Sequence, residues 1–207
     1  MSKISSKLIV IVPIFNEEKY IEKTLLSLKM QDMEDVSFIV SDNCSTDGTW
    51  EICQKVANDD PRFVLIRQPK NMGAGKNYQF LYSYADSEYV MMLGGHDFLV
   101  GEGYLSLGVK LLDSTPDVVM ALGTPYRIAD DVAQGVFSDD MRNYSGSKLA
   151  RFLQASKTHV WCTQIYSILR RSVLAGYEIN ADKRGADFTM IAYLLWHGRL
   201  AYISGGE

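Results

Sequence analysis

Apolar residues in the first hundred positions come in short, nearly unbroken runs rather than in strict alternation. Leu8–Val12, Val36–Val40, Phe63–Ile66 and Tyr89–Leu93 are the clearest. Runs of this kind suit strands buried on both faces of a sheet. Between them, apolar residues recur at helical spacing: Ile21, Leu25 and Leu28; Trp50, Ile52, Cys53 and Val56; Tyr78, Phe80, Leu81 and Tyr84. Strands alternating with helices predict an α/β fold with a single, mostly parallel, doubly wound sheet. In such sheets ligands bind beyond the carboxyl ends of the strands. Those ends fall at Pro13, Asp42, Lys70 and His96, and each carries a polar or glycine-bearing loop. Pro13 is expected to stop the first strand. Asn16 is expected to cap the helix that follows, with Glu17 and Glu18 in its first turn, and Ser45 or Thr46 to cap the next.

The second half is less regular. Tyr104–Leu112 predicts a helix and Val118–Leu122 another buried strand. From Gly123 to about Gly146 the pattern lapses, so a long loop holding Asp130, Asp131, Asp139 and Asp140 is expected. Lys148–Gln154 then reads as a short helix, Gln164–Leu169 as a strand, Phe188–Trp196 as a helix and Ala201–Ile203 as a last strand.

Composition narrows the class. A chain of 207 residues can bury a substantial core. A net charge of −4 argues against a general nucleic-acid binder. Cys44, Cys53 and Cys162 are odd in number and share no metal-ligand spacing, which points to a reducing, cytoplasmic compartment. The run Leu8–Phe15 is interrupted by Pro13 and followed by Asn-Glu-Glu; it makes a poor signal peptide and is too short to span a bilayer. One segment departs from the acidic average. Met141–Arg171 has no Asp or Glu but holds Arg142, Lys148, Arg151, Lys157, Arg170 and Arg171. It is either a solvated face or a contact with phosphate groups or an anionic membrane, with Leu149, Phe152 and Leu153 as its apolar side.

The stretch Tyr89–Leu99 concentrates the candidate chemistry. Its apolar run ends in Gly94-Gly95-His96-Asp97, which sets an imidazole and a carboxylate at a strand's carboxyl end. Together with Val12-Pro13-Ile14-Phe15-Asn16-Glu17-Glu18, Val40-Ser41-Asp42-Asn43-Cys44-Ser45-Thr46-Asp47-Gly48-Thr49 and Asn71-Met72-Gly73, this chain resembles the family 2 glycosyltransferases of the GT-A fold. Gly185-Ala186-Asp187-Phe188, followed by Leu194-Leu195-Trp196-His197-Gly198, extends the resemblance over nearly the whole chain. It implies a single domain over residues 1–207. Residues 1–100 form a Rossmann-like half that binds the nucleotide sugar, and residues 101–207 an acceptor-side half carrying the catalytic base.

Transfer from a nucleotide sugar needs a pocket for base and ribose, positive charge on the departing diphosphate, and a base for the acceptor hydroxyl. The resemblance assigns the pocket to Pro13, Phe15, Asn16, Glu17, Asp42 and Asn43. Phe15 can stack on a nucleobase, and Asp42 can accept a pyrimidine imide N–H, which favours a UDP- or dTDP-sugar. Phe15 as core, and Asp42 or Asn43 as a plain Asx turn, are the bland alternatives. Lys76 is either a phosphate contact or a surface lysine. The resemblance makes Asp97 the ligand of Mn²⁺ or Mg²⁺. His96, standing where the family has an aspartate, either joins it or only hydrogen-bonds the ribose or backbone. Imidazole is acceptable to Mn²⁺ and poor for Mg²⁺. Asp187 is implied as the general base of an inverting transfer, with helix capping as its bland alternative. Trp161 either stacks on the acceptor or sits in the core. His159 and His197 have no partner spacing. The implied acceptor is a glycan or lipid-linked hydroxyl in polysaccharide assembly, with the basic segment against the inner face of the cell membrane. The altered acidic motif leaves a competing expectation, a nucleotide-sugar-binding or scaffold protein without turnover. A sugar nucleotidyltransferase ranks below both, because Pro-Ile-Phe-Asn-Glu-Glu stands where a basic glycine-rich loop would follow strand one. The chain ends shortly after Asp187, so either it is a catalytic core or another chain completes the acceptor site.

Overall fold

The computed structural model describes residues 6–129, 132–136, 141–157, 162–178 and 184–204. The apolar runs become strands β1 (Leu8–Ile14), β2 (Val36–Asp42), β3 (Phe63–Arg67), β4 (Tyr89–Met92) and β5 (Val118–Leu122). The helices between them are α1 (Ile21–Lys29), α2 (Thr49–Ala57), α3 (Ala74–Tyr84) and α4 (Tyr104–Ser114). Then follow β6 (Tyr126–Ala129), β7 (Val132–Val136), α5 (Lys148–Lys157), a 3₁₀ turn (Thr163–Tyr166), β8 (Ile168–Arg170), a second 3₁₀ segment (Arg171–Gly176), α6 (Ala186–His197) and β9 (Arg199–Tyr202).

Seven strands form one sheet in the order β3-β2-β1-β4-β8-β5-β9. All run parallel except β8, which is antiparallel to both neighbours, pairing Val90↔Leu169 and Met120↔Leu169. The continuous apolar runs are explained by two cores, one on each face. Leu8, Val10, Phe38 and Met91 pack against α1, α2 and α4 through Leu25, Cys53 and Leu105. Ile9, Ile11, Ile39 and Val90 pack on the other face with Leu81 of α3 and Ile191 and Leu195 of α6. Leu8 through Val12 are wholly buried, as a central strand covered on both sides must be. The expected α/β, doubly wound, mostly parallel architecture is therefore present. Among the described residues, no helix is long and apolar enough to cross a membrane.

Several local expectations change. Pro13 does not end β1 but pairs with Ser41 inside it. The ladder from β1 to β4 stops at Ile11↔Met92, so the missing N–H of Pro13 removes no bond on that side. α1 starts at Ile21 with no side-chain cap, and its first-turn acid is Glu22 rather than Glu17 or Glu18. Asn16 instead takes a left-handed conformation, φ 55°. Neither Ser45 nor Thr46 caps α2, which begins after Gly48. Part of the expected loop after Gly123 is the antiparallel hairpin β6–β7; Asp130, Asp131, Asp139 and Asp140 lie outside the described residues. Gln164–Leu169 is not one strand but a 3₁₀ turn running into β8.

Two arginines of the basic segment are turned inward, while Lys148 and Lys157 are exposed. Arg151 donates from Nε to the Leu195 carbonyl at 2.9 Å and from Nη1 to the Gly146 carbonyl at 2.8 Å. Arg170 Nη2 donates to the Leu112 carbonyl at 2.8 Å. Leu195 and Leu112 lie in the last turns of α6 and α4, where carbonyls lack helical partners and the dipole favours a cation. Arg171 pairs with Asp86 at 3.4 Å.

Arg62 does the same at α1. Its Nη2 donates to the Lys29 carbonyl at 2.6 Å and its Nη1 to the Gln31 carbonyl at 2.8 Å, while Nη2 and Asp60 Oδ2 lie 2.8 Å apart. The hydrogen bond from Arg62 holds the Asp60 carboxyl below its usual value, against the opposing effect of burial. That stabilisation is present above the ordinary carboxylate range and is lost as pH falls through the depressed value. Arg62→Ala strands Asp60, whose side chain is 8% exposed. It should cost about 3 kcal/mol. A thermal melt at neutral pH should show Tm lowered by roughly 6–12 °C, and the deficit should shrink in strong acid.

Candidate active site

The site is the carboxyl edge of the sheet, where the ends of β1, β2, β3 and β4 meet. The first two loops are laced together. Asn16 N donates to Ser45 Oγ at 2.9 Å, Glu17 N to Thr49 Oγ1 at 2.8 Å, and Thr46 N to Asn16 Oδ1 at 2.9 Å. Asp47 Oδ1 accepts from Thr49 N at 3.1 Å and from Thr49 Oγ1 at 2.5 Å. The polar residues expected to cap helices therefore bridge loops instead. They leave Phe15 held up at the edge, 41% exposed, as a stacking aromatic must be.

Asp42 closes β2 and is wholly buried. Its Oδ1 accepts from Ser45 N at 3.0 Å and Ser45 Oγ at 2.5 Å. Its Oδ2 lies 3.2 Å from Arg67 Nε but outside hydrogen-bond alignment, and so keeps acceptor capacity. A buried carboxylate with spare acceptor capacity is costly unless something donates to it. Arg67 was not anticipated. It ends β3, donates from Nη2 to the Ser45 carbonyl at 2.9 Å and lies over the Trp50 ring at 5.4 Å. The available signal was a lone cation closing the apolar run Phe-Val-Leu-Ile-Arg.

Asn43 is spent on the next loop. Its Nδ2 donates to Asn71 Oδ1 and its Oδ1 accepts from Met72 N, both at 2.9 Å. Below it Ser41, Gln68 and Asn77 form a buried network. Ser41 Oγ donates to Asn77 Oδ1 at 2.6 Å, Gln68 Nε2 donates to Ser41 Oγ at 3.0 Å, and Asn77 Nδ2 to the Ser41 carbonyl at 3.0 Å. This fixes the start of α3, where Lys76 stands exposed in a first turn that holds no acid.

At the end of β4 Gly95 is a packing requirement, and Gly94 leaves room for the Asp97 carboxylate. A Cβ on Gly95 would come within 2.8 Å of Ile14 Cγ2 and 2.9 Å of Glu17 Cγ; one on Gly94 would come within 2.7 Å of Asp97 Oδ2. Thr24 Oγ1 donates to the Gly95 carbonyl at 2.9 Å and pins the turn to α1. Glu17 Oε1 then lies 3.0 Å from His96 Nδ1, and His96 Nε2 lies 4.0 Å from Asp97 Oδ2. Burial works to lower the His96 pKa, but the Glu17 hydrogen bond and the Asp97 and Glu17 charges outweigh it, and the net shift is upward. Asp97 Oδ2 is itself buried and has no hydrogen-bond partner. The Tyr78 and Tyr166 hydroxyls are pushed up by burial and then by the Asp97 charge. A carboxylate with a single phenol, Tyr166, as its side-chain hydrogen-bond partner suits a cation. Among the described residues, no three His, Cys, Asp or Glu side chains converge on one point. A divalent ion would thus take Asp97, with His96 nearby, and complete its shell from substrate phosphates.

Asp187 occupies the first turn of α6, and its Oδ1 accepts from Phe188 N at 3.0 Å. α6 leads back into β9, which is parallel to β5, so the helix starts at the same edge as Asp42 and Asp97. The structure thus brings Pro13, Phe15, Asn16, Glu17, Asp42, His96 and Asp97 to one edge. Asn43 is there in a structural tie, Lys76 is exposed on α3, and Asp187 is at that edge on a separate element. Trp161 and His159 lie outside the described residues. His197 sits at the far end of α6 with its ring 4.5 Å from Tyr193.

Comparison with known proteins identifies the family and the fold. The profile of glycosyl transferase family 2 matches residues 9–177. A GalNAc(5)-diNAcBac-PP-undecaprenol β-1,3-glucosyltransferase from Campylobacter jejuni is 26% identical, over 89% of this chain and 58% of that protein. The poly(ribitol-phosphate) β-N-acetylglucosaminyltransferase TarS of Staphylococcus aureus is 36% identical, over 55% of this chain and 20% of its own length. The structure of TarS 1-349 in complex with UDP superposes with a TM-score of 0.74 at 25% identity, covering 96% of this chain and 58% of that one. This chain therefore spans little more than half of these relatives at most.

The packing at Gly95 has a measurable consequence. Ile14 is 2% exposed and has no room to retreat. Gly95→Ala should lower stability by about 1–3 kcal/mol, read as a shifted midpoint in urea. An unchanged midpoint would mean that the turn is looser than described.

Proposed function

The chain belongs to glycosyl transferase family 2, and from that premise we propose that it moves a sugar from a nucleoside-diphosphate donor to a hydroxyl of a glycan or lipid-linked acceptor, with inversion. The observation that carries this reading is the edge itself: Phe15, exposed one residue past the Ile14–Asp42 pair, and a buried Asp42 whose Oδ2 has the Arg67 ion pair but no aligned donor. Asp42 Oδ2 takes the imide N–H of a uracil or thymine, and Phe15 covers the base. The UDP complex of TarS supports a uridine donor, and the named acceptor of the Campylobacter relative supports a lipid-linked one. Asp97 holds a Mn²⁺ or Mg²⁺, which when bound stabilises the negative charge of the departing diphosphate. Asp187 takes the proton of the acceptor hydroxyl as its oxygen attacks the anomeric carbon from the face opposite the diphosphate. Glu17 and His96, hydrogen-bonded to each other at 3.0 Å at this edge, are proposed nucleotide contacts. The cytoplasm is the proposed compartment; among the described residues no disulfide joins Cys44, Cys53 and Cys162.

The membrane-facing part of this reading falls on α5. Leu149 and Leu153 are 53% and 44% exposed beside Phe152, and Lys148 lies 4.7 Å over the Trp196 ring. Co-sedimentation with anionic liposomes at low salt should retain the chain and lose the Leu149→Asp/Leu153→Asp variant; equal recovery of both in the supernatant would remove this contact.

Asp97→Ala should abolish metal-dependent binding of UDP in calorimetry. Asp187→Ala should leave that binding intact and slow transfer by about 10²–10⁴-fold. Undiminished transfer by the Asp187 variant would sink the base assignment. UDP binding that ignores metal, with no transfer from a panel of donors, would favour a binding or scaffold protein instead.

A further inference from the structure

The geometry points to His96 Nε2 as a second protein ligand of the divalent ion beside Asp97, with Glu17 as the positioning residue that fixes its tautomer. This rests on the reading of Asp97 as a ligand and deepens it.

The tautomer follows from Glu17. An ionised carboxylate only accepts hydrogen bonds, so the nitrogen 3.0 Å from Glu17 Oε1 is the one that carries a proton. That nitrogen is Nδ1. In the neutral ring the lone pair is then on Nε2, the nitrogen 4.0 Å from Asp97 Oδ2. Metal-binding histidines commonly donate their other N–H to a carboxylate in this way. Glu17 is restrained for the task. Its backbone N–H is tied to Thr49 Oγ1 at 2.8 Å, and its Cγ lies 2.9 Å from where a Gly95 Cβ would stand. Its side chain is 20% exposed, while that of His96 is 57% exposed. The carboxylate is held and the ring reaches out over the site.

The spacing is compatible with one ion. Ligands about 2.1 Å from an octahedral ion lie about 3 Å apart when adjacent and about 4.2 Å apart when opposite. The observed 4.0 Å falls between these values, so a modest side-chain rotation brings both atoms into one shell. The Asp97 carboxylate has one protein donor to give up, the Tyr166 hydroxyl. A site with one imidazole and one carboxylate discriminates between ions. Imidazole is acceptable to Mn²⁺ and poor for Mg²⁺. The Gly-Gly-His-Asp spelling thus favours Mn²⁺ over Mg²⁺, with the imidazole oriented by a glutamate some eighty residues earlier in the chain.

The test uses the whole chain with UDP and Mn²⁺. Electron spin-echo modulation of bound Mn²⁺ should show coupling to a ¹⁴N nucleus. The coupling should vanish in His96→Ala, a substitution at an exposed side chain that should leave the melting temperature unchanged. Glu17→Ala should weaken Mn²⁺ binding by about 10–100-fold, and His96→Ala should collapse the ratio of Mn²⁺ to Mg²⁺ affinity. Mn²⁺ bound with UDP but lacking nitrogen coupling, or the same coupling in His96→Ala, would overturn the inference while leaving Asp97 as the ligand. Failure of the wild-type chain to bind Mn²⁺ with UDP would overturn both readings.

Discussion

Where a parallel sheet stops, its backbone groups lose their partners, and the loops beyond must satisfy them without the regularity of a ladder. This constraint organises the whole functional edge. Side chains finish what the strands begin: Ser45 and Thr49 accept from the backbone after β1, Asn43 from Met72 after β3, and the Gly95 carbonyl accepts from Thr24. Each such bond contributes only about 1 kcal/mol net, but a buried group left without one costs about 1–3 kcal/mol. Loops tied from both ends hold their shape before any ligand arrives. What remains unsatisfied is then informative. Among the buried carboxylate oxygens, Asp42 Oδ2 has only the Arg67 ion pair and Asp97 Oδ2 no aligned donor, at the two places where a base and a diphosphate are proposed to sit.

The sheet could be read from the chain because its signal is local. A strand covered on both faces is apolar at nearly every position, and β5 emerges at Val118–Leu122 as expected. The roles of the polar residues after the strands could not be read the same way. Asn16, Ser45 and Thr46 have the chemistry of helix caps, and nothing in a local window says that their partners lie about thirty residues away. β8 was hidden for a related reason. It is three residues long, antiparallel to both neighbours, and preceded by a 3₁₀ turn, so no periodicity marks it. Arg67 was missed because a charge at the end of a strand is ordinary. Only the fold shows that it stands beside a buried carboxylate. The edge was thus foreseen by motif, while the bonds that shape it depend on contacts between distant parts of the chain.

The basic segment shows why charge counted along a chain overstates surface charge. Arg151 and Arg170 reach carbonyls in the last turns of α6 and α4, and Arg62 reaches those ending α1. A helix end buried against a sheet presents unpaired carbonyls, and guanidinium groups satisfy several at once with fixed geometry. These arginines therefore hold the helices to the sheet. Any attraction to phosphate or lipid must come from α5, through its lysines and outward leucines.

The two glycines before His96 tie the altered acidic motif to the rest of the edge. Gly95 leaves the space that the Glu17 stem occupies, and Gly94 leaves the space into which Asp97 folds. A side chain at Gly95 would press the first loop away from the fourth. An aspartate in place of His96 would meet Glu17 as a like charge at close range, which disfavours ionisation of both. A histidine turns the same proximity into attraction. The glycines, the glutamate and the histidine are thus one physical arrangement: the glycines let the two loops close, and the imidazole hydrogen-bonds the Glu17 carboxylate that this closeness brings beside it.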